Sequence, residues 1–236
     1  MAVKLKEKVI KDPRQKIMWI FLPLVLVLGF LYPPAGLVVI LCMLGAVGIS
    51  LFKGRVWCHW MCPRGSFFDY ILARFSPNRK VPAFIKKDWF RVAVLILIMG
   101  MMLFSVLSRW GDLYAMGRVF TMMLFVTTLI GIVLGLITDS RIWCQVCPMG
   151  TLAGWLGRYN KPVVLCNDCS RCGICEKICP MQVDLLKWKD LNAGIIGDTG
   201  CIRCSLCTRA CPKGAVEIMD VKKIRKEQKP SLYPSK

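Results

Sequence analysis

Residues 17–52 read IMWIFLPLVLVLGFLYPPAGLVVILCMLGAVGISLF and contain no charged residue. At about 1.5 Å per residue, one helix of this length would measure roughly 54 Å, whereas the hydrocarbon core of a bilayer is about 30 Å thick. The segment must therefore turn back, and the Tyr-Pro-Pro-Ala-Gly sequence at 32–36 marks the turn, because proline removes helix donors and glycine tolerates tight turns. We predict membrane-spanning helices at 17–32 and 36–53.

A second pair of apolar segments at 89–108 and 119–138 brings the predicted number of crossings to four. The composition agrees, since 56% of the 236 residues are apolar and the mean hydropathy is +0.52. These values exclude an ordinary soluble domain. The single histidine also excludes an intramembrane haem held by two histidines.

Basic residues predict the orientation of these helices in the membrane. The chain has 33 Lys and Arg against 14 Asp and Glu, a net charge of +19. Six basic residues lie in 1–16, eight in 53–87 and sixteen after Asp139, whereas Arg109 and Arg118 alone lie on the opposite side. The positive-inside rule then predicts a multi-pass protein of the cytoplasmic (inner) membrane with both termini in the cytoplasm. The charge is explained by topology, so we expect membrane lipid and no nucleic acid as a partner.

The C-terminal part contains two runs of cysteines with the same spacing. Cys169-x2-Cys172-x2-Cys175-x3-Cys179-Pro180 is followed by Cys201-x2-Cys204-x2-Cys207-x3-Cys211-Pro212. This is the spacing of bacterial two-cluster ferredoxins, in which the fourth cysteine of each run binds the partner cluster. We therefore predict two [4Fe-4S] clusters, one held by Cys169, Cys172, Cys175 and Cys211 and the other by Cys201, Cys204, Cys207 and Cys179. A zinc ribbon would have two pairs of cysteines rather than two triplets.

A shorter motif occurs twice and follows each predicted helical hairpin. Arg55-Val56-Trp57-Cys58 matches Arg141-Ile142-Trp143-Cys144, and the match continues from Cys62-Pro63 to Cys147-Pro148. Because each repeat contains two crossings, a pseudo-two-fold axis along the membrane normal should relate them. Cys58, Cys62, Cys144 and Cys147 would then meet at the membrane edge. The Gly-Ser and Gly-Thr pairs at 65–66 and 150–151 are the predicted helix N-caps.

The role of these four membrane-edge cysteines stays open at this point. They fit a further iron–sulfur or mononuclear iron centre, a redox dithiol pair, or structural thiols. His59, Trp57 and Trp143 are candidates for a quinone site, although tryptophan is common at bilayer interfaces and His59 fits a hydrogen-bonded interfacial side chain equally well. Cys166 is a weaker candidate ligand, and no residue is predicted to be catalytic.

These motifs together resemble the NapH/MauN type of membrane ferredoxin over nearly the whole chain. The resemblance implies an electron-transfer subunit of a quinol dehydrogenase-type system that exchanges electrons between the quinone pool and another redox protein, a cytochrome or an iron–sulfur subunit. The family pattern repeats C-x3-C-P twice; Cys58 and Cys62 fit it, whereas Cys144 and Cys147 have one residue fewer between them.

The predicted architecture is an α-helical membrane protein with four transmembrane helices as two repeated hairpins, followed by an α+β two-cluster ferredoxin domain. Its segments are a basic N-terminus at 1–16, a membrane domain at 17–162 with Cys-Pro motifs at 58–66 and 144–151, a ferredoxin domain at 163–220 and a basic tail at 221–236. Two alternatives remain for function: a redox- or metal-sensing or assembly factor, and a plain ferredoxin tethered to the membrane.

Overall fold

A computed structural model describes residues 15–166, 168–191 and 194–219. Residues 1–14 of the predicted basic N-terminus and the predicted tail at 221–236 lie outside this part of the chain. The described residues are mostly helical, and three short strands occur in the C-terminal part.

The first apolar segment forms the predicted hairpin. Helix α1 covers Gln15–Leu31 and helix α2 covers Val38–Lys53, while a 3-10 helix at Pro33–Leu37 makes the turn between them. The two prolines occupy the first positions of this 3-10 helix, where a missing N–H costs no hydrogen bond. The prediction that the chain turns at 32–36 is confirmed.

The second hairpin consists of α5, Asp88–Leu107, and α6, Leu113–Ile137. Helix α6 begins six residues before the predicted start at 119, so that boundary was wrong. The physical reason is the cap: the Asp112 carboxylate accepts hydrogen bonds from the N–H groups of Tyr114 at 3.0 Å and Ala115 at 3.2 Å.

Three helical segments among the described residues are long and apolar enough to cross a membrane: Pro33–Lys53, Asp88–Leu107 and Leu113–Ile137. The fourth apolar helical segment, Ile17–Leu31, is shorter. The chain is therefore a membrane protein, and the count of four crossings remains a prediction.

Glycines allow the two hairpins and the edge helices to pack closely. A Cβ atom at Gly117 of α6 would overlap the backbone carbonyl of Pro33 in the first turn. Further along α6, a Cβ at Gly131 would lie 2.7 Å from Phe68 and one at Gly135 would lie 2.5 Å from Leu72. Helix α6 thus packs closely against both ends of the first repeat, and at Gly117, which faces backbone, only glycine permits the contact.

Short helices follow each hairpin at the membrane edge. They are α3 (Trp57–Trp60) and α4 (Pro63–Tyr70) in the first repeat, and α7 (Ile142–Val146) and α8 (Pro148–Leu156) in the second. The predicted N-caps at 65–66 and 150–151 were wrong. Each second helix starts at the proline, whose fixed φ suits the first helical position, so that the preceding cysteine becomes the N-cap.

Two 3-10 helices, Leu72–Arg74 and Ala83–Lys86, lead from α4 to α5.

The C-terminal part is α+β. Its elements in chain order are β1 (Val163–Leu165), α9 (Ile174–Ile178), α10 (Leu185–Leu191), β2 (Ile195–Ile196), α11 (Leu206–Ala210) and β3 (Val216–Ile218). The strands form an antiparallel sheet in the order β2-β1-β3, with Val163 paired to both Ile196 and Ile218.

One buried apolar core joins the C-terminal part to the membrane edge. It runs from Phe68 of α4 and Trp143 of α7 to Val163, Ile196 and Val216 of the sheet. The cysteine groups of both parts border this core, and the fold therefore holds them close to each other.

Candidate iron–sulfur centres

The first predicted ligand set lines a single cavity. Cys169, Cys172, Cys175 and Cys211 border it, together with Lys213 at its rim. Three of the cysteines come from the first run, and Cys211 comes from the second. The structure thus places Cys211 of the second run beside the three cysteines of the first, as the predicted exchange of the fourth cysteine requires.

The second ligand set is buried as a group of mutually interacting thiols. Burial raises the pKa of Cys179 to about 11 and that of Cys207 to about 12. Burial also raises the pKa of Cys204, and the neighbouring Cys179, Cys201 and Cys207 raise it further. Cys179 thus lies with the second run, and because iron binds the deprotonated form, loading such thiols with iron releases protons.

The two cysteine runs have the same backbone conformation. Arg171 and Gly173 have φ of 53° and 74°, while Arg203 and Ser205, each 32 positions later, have φ of 52° and 61°. These left-handed residues bend the loop so that a helix begins after the second cysteine of each run, α9 in one case and α11 in the other.

Backbone N–H groups point at the sulfur atoms. The N–H of Val183 donates to Cys179 Sγ at 3.5 Å, and backbone hydrogen bonds from Arg203 and Leu206 act to lower the pKa of Cys201 and Cys204. Hydrogen bonds to thiolate sulfur stabilise negative charge, and in iron–sulfur proteins they set the reduction potential.

The third group of cysteines lies at the membrane edge, where the two repeats meet. Each thiol has a donor: Gly65 N–H to Cys62 Sγ at 3.4 Å, Arg64 to Cys147 Sγ at 3.3 Å, Arg141 to Cys144 Sγ at 3.8 Å, and Arg55 to Cys58. Burial, together with the neighbouring Cys58, raises the pKa of Cys62 to about 12. The predicted meeting of these four cysteines is observed.

Two arginines cross between the repeats in a reciprocal manner. Arg55 of the first repeat donates to the carbonyl of Cys144 in the second, and Arg141 of the second donates to the carbonyl of Cys58 in the first, at 3.0 Å. Each side chain is only 1% exposed. This exchange is the contact pattern that a two-fold relation between the repeats would produce.

The charges of these two arginines are balanced differently. Arg141 forms a salt bridge with Asp69, with its Nε 2.6 Å from Asp69 Oδ1. Arg55 has no carboxylate partner among the residues that the structure describes. Burial acts to lower the pKa of Arg55, but Cys58, Cys144 and Cys147 raise it, so that the net shift is upward. The anionic partners available to Arg55 are therefore the thiolates.

The three quinone-site candidates do not share one cavity. Trp57 lines an apolar cavity of about 140 Å³ between α1, α2 and α4, and Cys58, Cys62 and Cys147 also border it. His59 is buried and linked through Gln15 to Asp69. Trp143 borders a different groove between α5 and α6, and the guanidinium of Arg64 lies 5.4 Å from its ring centre.

Two hydrogen bonds connect the membrane-edge group to the second ferredoxin group. Gln145, next to Cys144, donates to the carbonyl of Met181 at 3.3 Å, two residues beyond Cys179. Arg55 donates to the carbonyl of Thr199 at 3.2 Å, two residues before Cys201. The membrane-edge group is thereby fixed beside Cys179 and Cys201.

Two further cysteines, Cys42 and Cys166, lie outside the three predicted sets. Cys166 hydrogen-bonds through its backbone to Ala215 and Cys169, and Cys42 borders the Trp57 cavity from within the membrane. Within the described ranges, no three His, Cys, Asp or Glu side chains lie close enough to hold one metal ion. In a [4Fe-4S] cluster each thiolate binds a different iron atom, so its cysteine ligands do not need to meet at one metal ion.

Several residues of the site were missed by sequence reasoning. Arg55, Arg64, Asp69, Arg141 and Gln145 hold the cysteine groups, yet none was assigned a role. A signal existed for two of them, because Arg55 and Arg141 occupy the same position of the repeated motif.

Comparisons with known proteins identify iron–sulfur families in both parts of the chain. A family model described as a 4Fe-4S binding domain matches residues 35–82 and 120–165, and one described as a 4Fe-4S dicluster domain matches 168–216. The first model covers both membrane-edge motifs. No solved structure matches the chain significantly.

Three curated relatives have similar identities. An uncharacterized protein of Methanocaldococcus jannaschii is 29% identical over 150 residues, which cover 59% of this chain and 57% of that protein. The methylamine utilization ferredoxin-type protein MauN of Methylobacillus flagellatus is 28% identical, covering 55% of this chain and 50% of MauN. The ferredoxin-type protein NapH of Escherichia coli is 28% identical, covering 58% and 52%. The match thus spans about half the length of these relatives.

Proposed function

Because this chain is a NapH/MauN-type ferredoxin, we propose that it carries electrons between membrane quinol and a redox partner through three iron–sulfur centres. The two 4Fe-4S family models support iron–sulfur electron transfer as the general role. The proposal adds the number of centres, the quinol and the partner.

The orientation proposed is the one that the basic residues favour, with the ferredoxin part in the cytoplasm. In the fold, Arg109 and Arg118 lie at the end of the α5–α6 hairpin opposite to the cysteine groups, and the basic segment 53–87 lies at the same end as those groups. Positive charge is thus concentrated at the ferredoxin end, as expected for a cytoplasmic face.

Two [4Fe-4S] clusters are assigned to the ferredoxin part. Cys169, Cys172, Cys175 and Cys211 would hold the first, and Cys179, Cys201, Cys204 and Cys207 the second. The cavity shared by the first set and the buried thiol group of the second support this assignment.

A third centre is assigned to Cys58, Cys62, Cys144 and Cys147. Four thiolates in a buried site need compensating charge, and Arg55, Arg64 and Arg141 supply it. Cys62 and Cys147 are also N-caps of α4 and α8, where the helix dipole favours negative charge. A redox dithiol would not require three guanidinium groups at one place.

The three groups are arranged in a definite order. The membrane-edge group is joined to the second ferredoxin group by the Gln145–Met181 and Arg55–Thr199 hydrogen bonds. The first and second groups exchange their fourth cysteines, Cys211 and Cys179. In the first group Cys172 is exposed. When bound by these residues, iron–sulfur clusters supply one-electron transfer. We place the surface for the redox partner around Cys172.

The quinone site is proposed in the apolar cavity at Trp57. Its walls come from α1 and α2 within the membrane, and its inner end is formed by Cys58, Cys62 and Cys147. A lipophilic ring would thus reach the membrane-edge group without leaving the hydrocarbon region. His59 is too firmly hydrogen-bonded in the Gln15–Asp69 network to be placed in this cavity.

The observation that carries the proposal is the direct connection between the membrane edge and the ferredoxin part. In a plain tethered ferredoxin, the membrane helices need no buried arginine linking Cys144 to Thr199. The Arg55 side chain makes both contacts and is 1% exposed.

The test is reduction of the ferredoxin clusters by quinol in proteoliposomes, followed by EPR. We expect a short-chain quinol to reduce them in the unaltered protein, and to fail in a Cys58→Ser/Cys144→Ser double variant whose clusters dithionite still reduces. Equal reduction by quinol in both proteins would show that the helices are only a tether.

A cavity-filling variant tests the location of the quinone site. Ala46 lies in the cavity wall and is 4% exposed, so we expect Ala46→Leu to slow quinol-driven reduction about tenfold or more. Gly48→Ala on the same helix meets no atom within 4 Å and should leave the rate unchanged.

A further inference from the structure

A large groove lies between α5 and α6, and none of the cysteines lines it. Its volume is about 750 Å³, and its walls include Leu97 and Met101 of α5 and Met122, Val126 and Ile130 of α6. The lining on α5 runs from Val94 to Ser105, which at about 1.5 Å per residue is roughly 16 Å of helix. One half of a hydrocarbon core of about 30 Å has a similar thickness.

The two ends of this groove differ in character. Trp143 closes the end near the cysteine groups, whereas Arg109 and Arg118 line the other end. In the whole sequence these are the only basic residues between Arg91 and Arg141. An apolar groove of this length with positive charge at one mouth matches an amphipathic molecule with an anionic head.

Neither arginine is used by the protein itself. Within the described residues, neither guanidinium has a hydrogen bond or an ion pair with another group. The nearest acid in sequence, Asp112, is engaged in capping α6 through the N–H groups of Tyr114 and Ala115. Two unpaired guanidinium groups next to an apolar groove favour a phosphate ligand, because each guanidinium offers several N–H donors.

We propose that this groove binds one anionic phospholipid from the leaflet at the Arg109 end, with the phosphate between Arg109 and Arg118 and one acyl chain along α5 and α6. A quinone has a neutral head and would gain little from two guanidinium groups. A zwitterionic lipid carries a cation that offsets the attraction. This site is separate from the quinone cavity, which lies on the opposite side of α6 between α1 and α2.

The test is native mass spectrometry of the detergent-purified, full-length protein titrated with dioleoylphosphatidylglycerol or dioleoylphosphatidylcholine. We expect one phosphatidylglycerol to be retained at least tenfold more tightly than phosphatidylcholine. Arg109→Gln/Arg118→Gln should remove this preference, while Arg74→Gln/Arg79→Gln, which changes two exposed arginines at the opposite end, should keep it.

A second variant tests the groove rather than the charges. Met122→Trp fills the groove and leaves both arginines in place, so we expect it to weaken phosphatidylglycerol binding as well. Equal binding of the two lipids, equal binding by the Arg109/Arg118 variant, or displacement of the lipid by a quinone analogue would each overturn the proposal. Lipid binding measured in this way depends neither on the iron–sulfur cluster content nor on the reaction with quinol.

Discussion

Replacing Arg55 with Gln is expected to remove the membrane-edge centre while leaving both ferredoxin clusters in place. The Arg55 side chain is 1% exposed and interacts with Cys58, Cys144 and Cys147, and no carboxylate in the described part of the chain shares its charge. Its loss removes one of the three guanidinium groups that compensate the buried thiolates, and breaking a buried ion pair typically costs about 3–5 kcal/mol. Iron content should fall by about four atoms per chain.

Matched variants separate this effect from general loss of folding. Arg74→Gln removes an exposed arginine whose guanidinium lies over Tyr70 and should leave the iron content unchanged. Arg55→Lys keeps the charge but loses the two-point contact to Cys144 and Thr199, so an intermediate iron content is expected. If Arg55→Gln binds as much iron as the unaltered protein, the charge of Arg55 has no role in holding the centre.

Replacing Cys204 with Ser should abolish the second ferredoxin cluster. Cys204 lies among Cys179, Cys201 and Cys207, and its pKa is raised by burial and then by these neighbours. Without its sulfur, one iron of the cluster has no protein ligand, so about four irons per chain should be lost and the corresponding EPR signal with them. The measurement is iron analysis combined with EPR of the dithionite-reduced protein.

Cys166→Ser is the matched control for this variant. Cys166 lies three residues before Cys169 and outside both predicted ferredoxin ligand sets, and its backbone N–H donates to the carbonyl of Ala215. Iron content should stay the same. A loss of iron in Cys166→Ser, with full content in Cys169→Ser, would mean that the first ligand set begins at 166.

The conformation of each cysteine run was predictable from sequence because the information is local. Spacing within a run decides which thiols share a loop, and the shared backbone conformation of Arg171 and Arg203 follows from the same local pattern. The turn at 32–36 was predictable for a similar reason, since proline and glycine restrict or permit local conformations.

The start of α6 and the two N-caps also depend on local sequence, yet their predictions were wrong. Asp112 three residues before Ala115 is a capping signal that the apolar pattern obscured. The Gly-Ser and Gly-Thr pairs do not cap these helices, because Pro63 and Pro148 occupy the first helical position, where proline is preferred.

The arginine contacts could not be predicted because they join distant parts of the chain. Arg55 reaches Cys144, 89 residues away, and Arg141 reaches Asp69, 72 residues away. Only the packing of the two repeats brings these groups together. The repeat itself predicted that the cysteines would meet, but not which cations would neutralise them.

The most direct test of three iron–sulfur centres is quantitation of iron and acid-labile sulfide in the full-length protein purified without oxygen. We expect about twelve atoms of each per chain, four for every cysteine group. About eight of each would contradict the membrane-edge centre. A colourless protein that holds zinc in place of iron would contradict the proposed electron transfer as a whole.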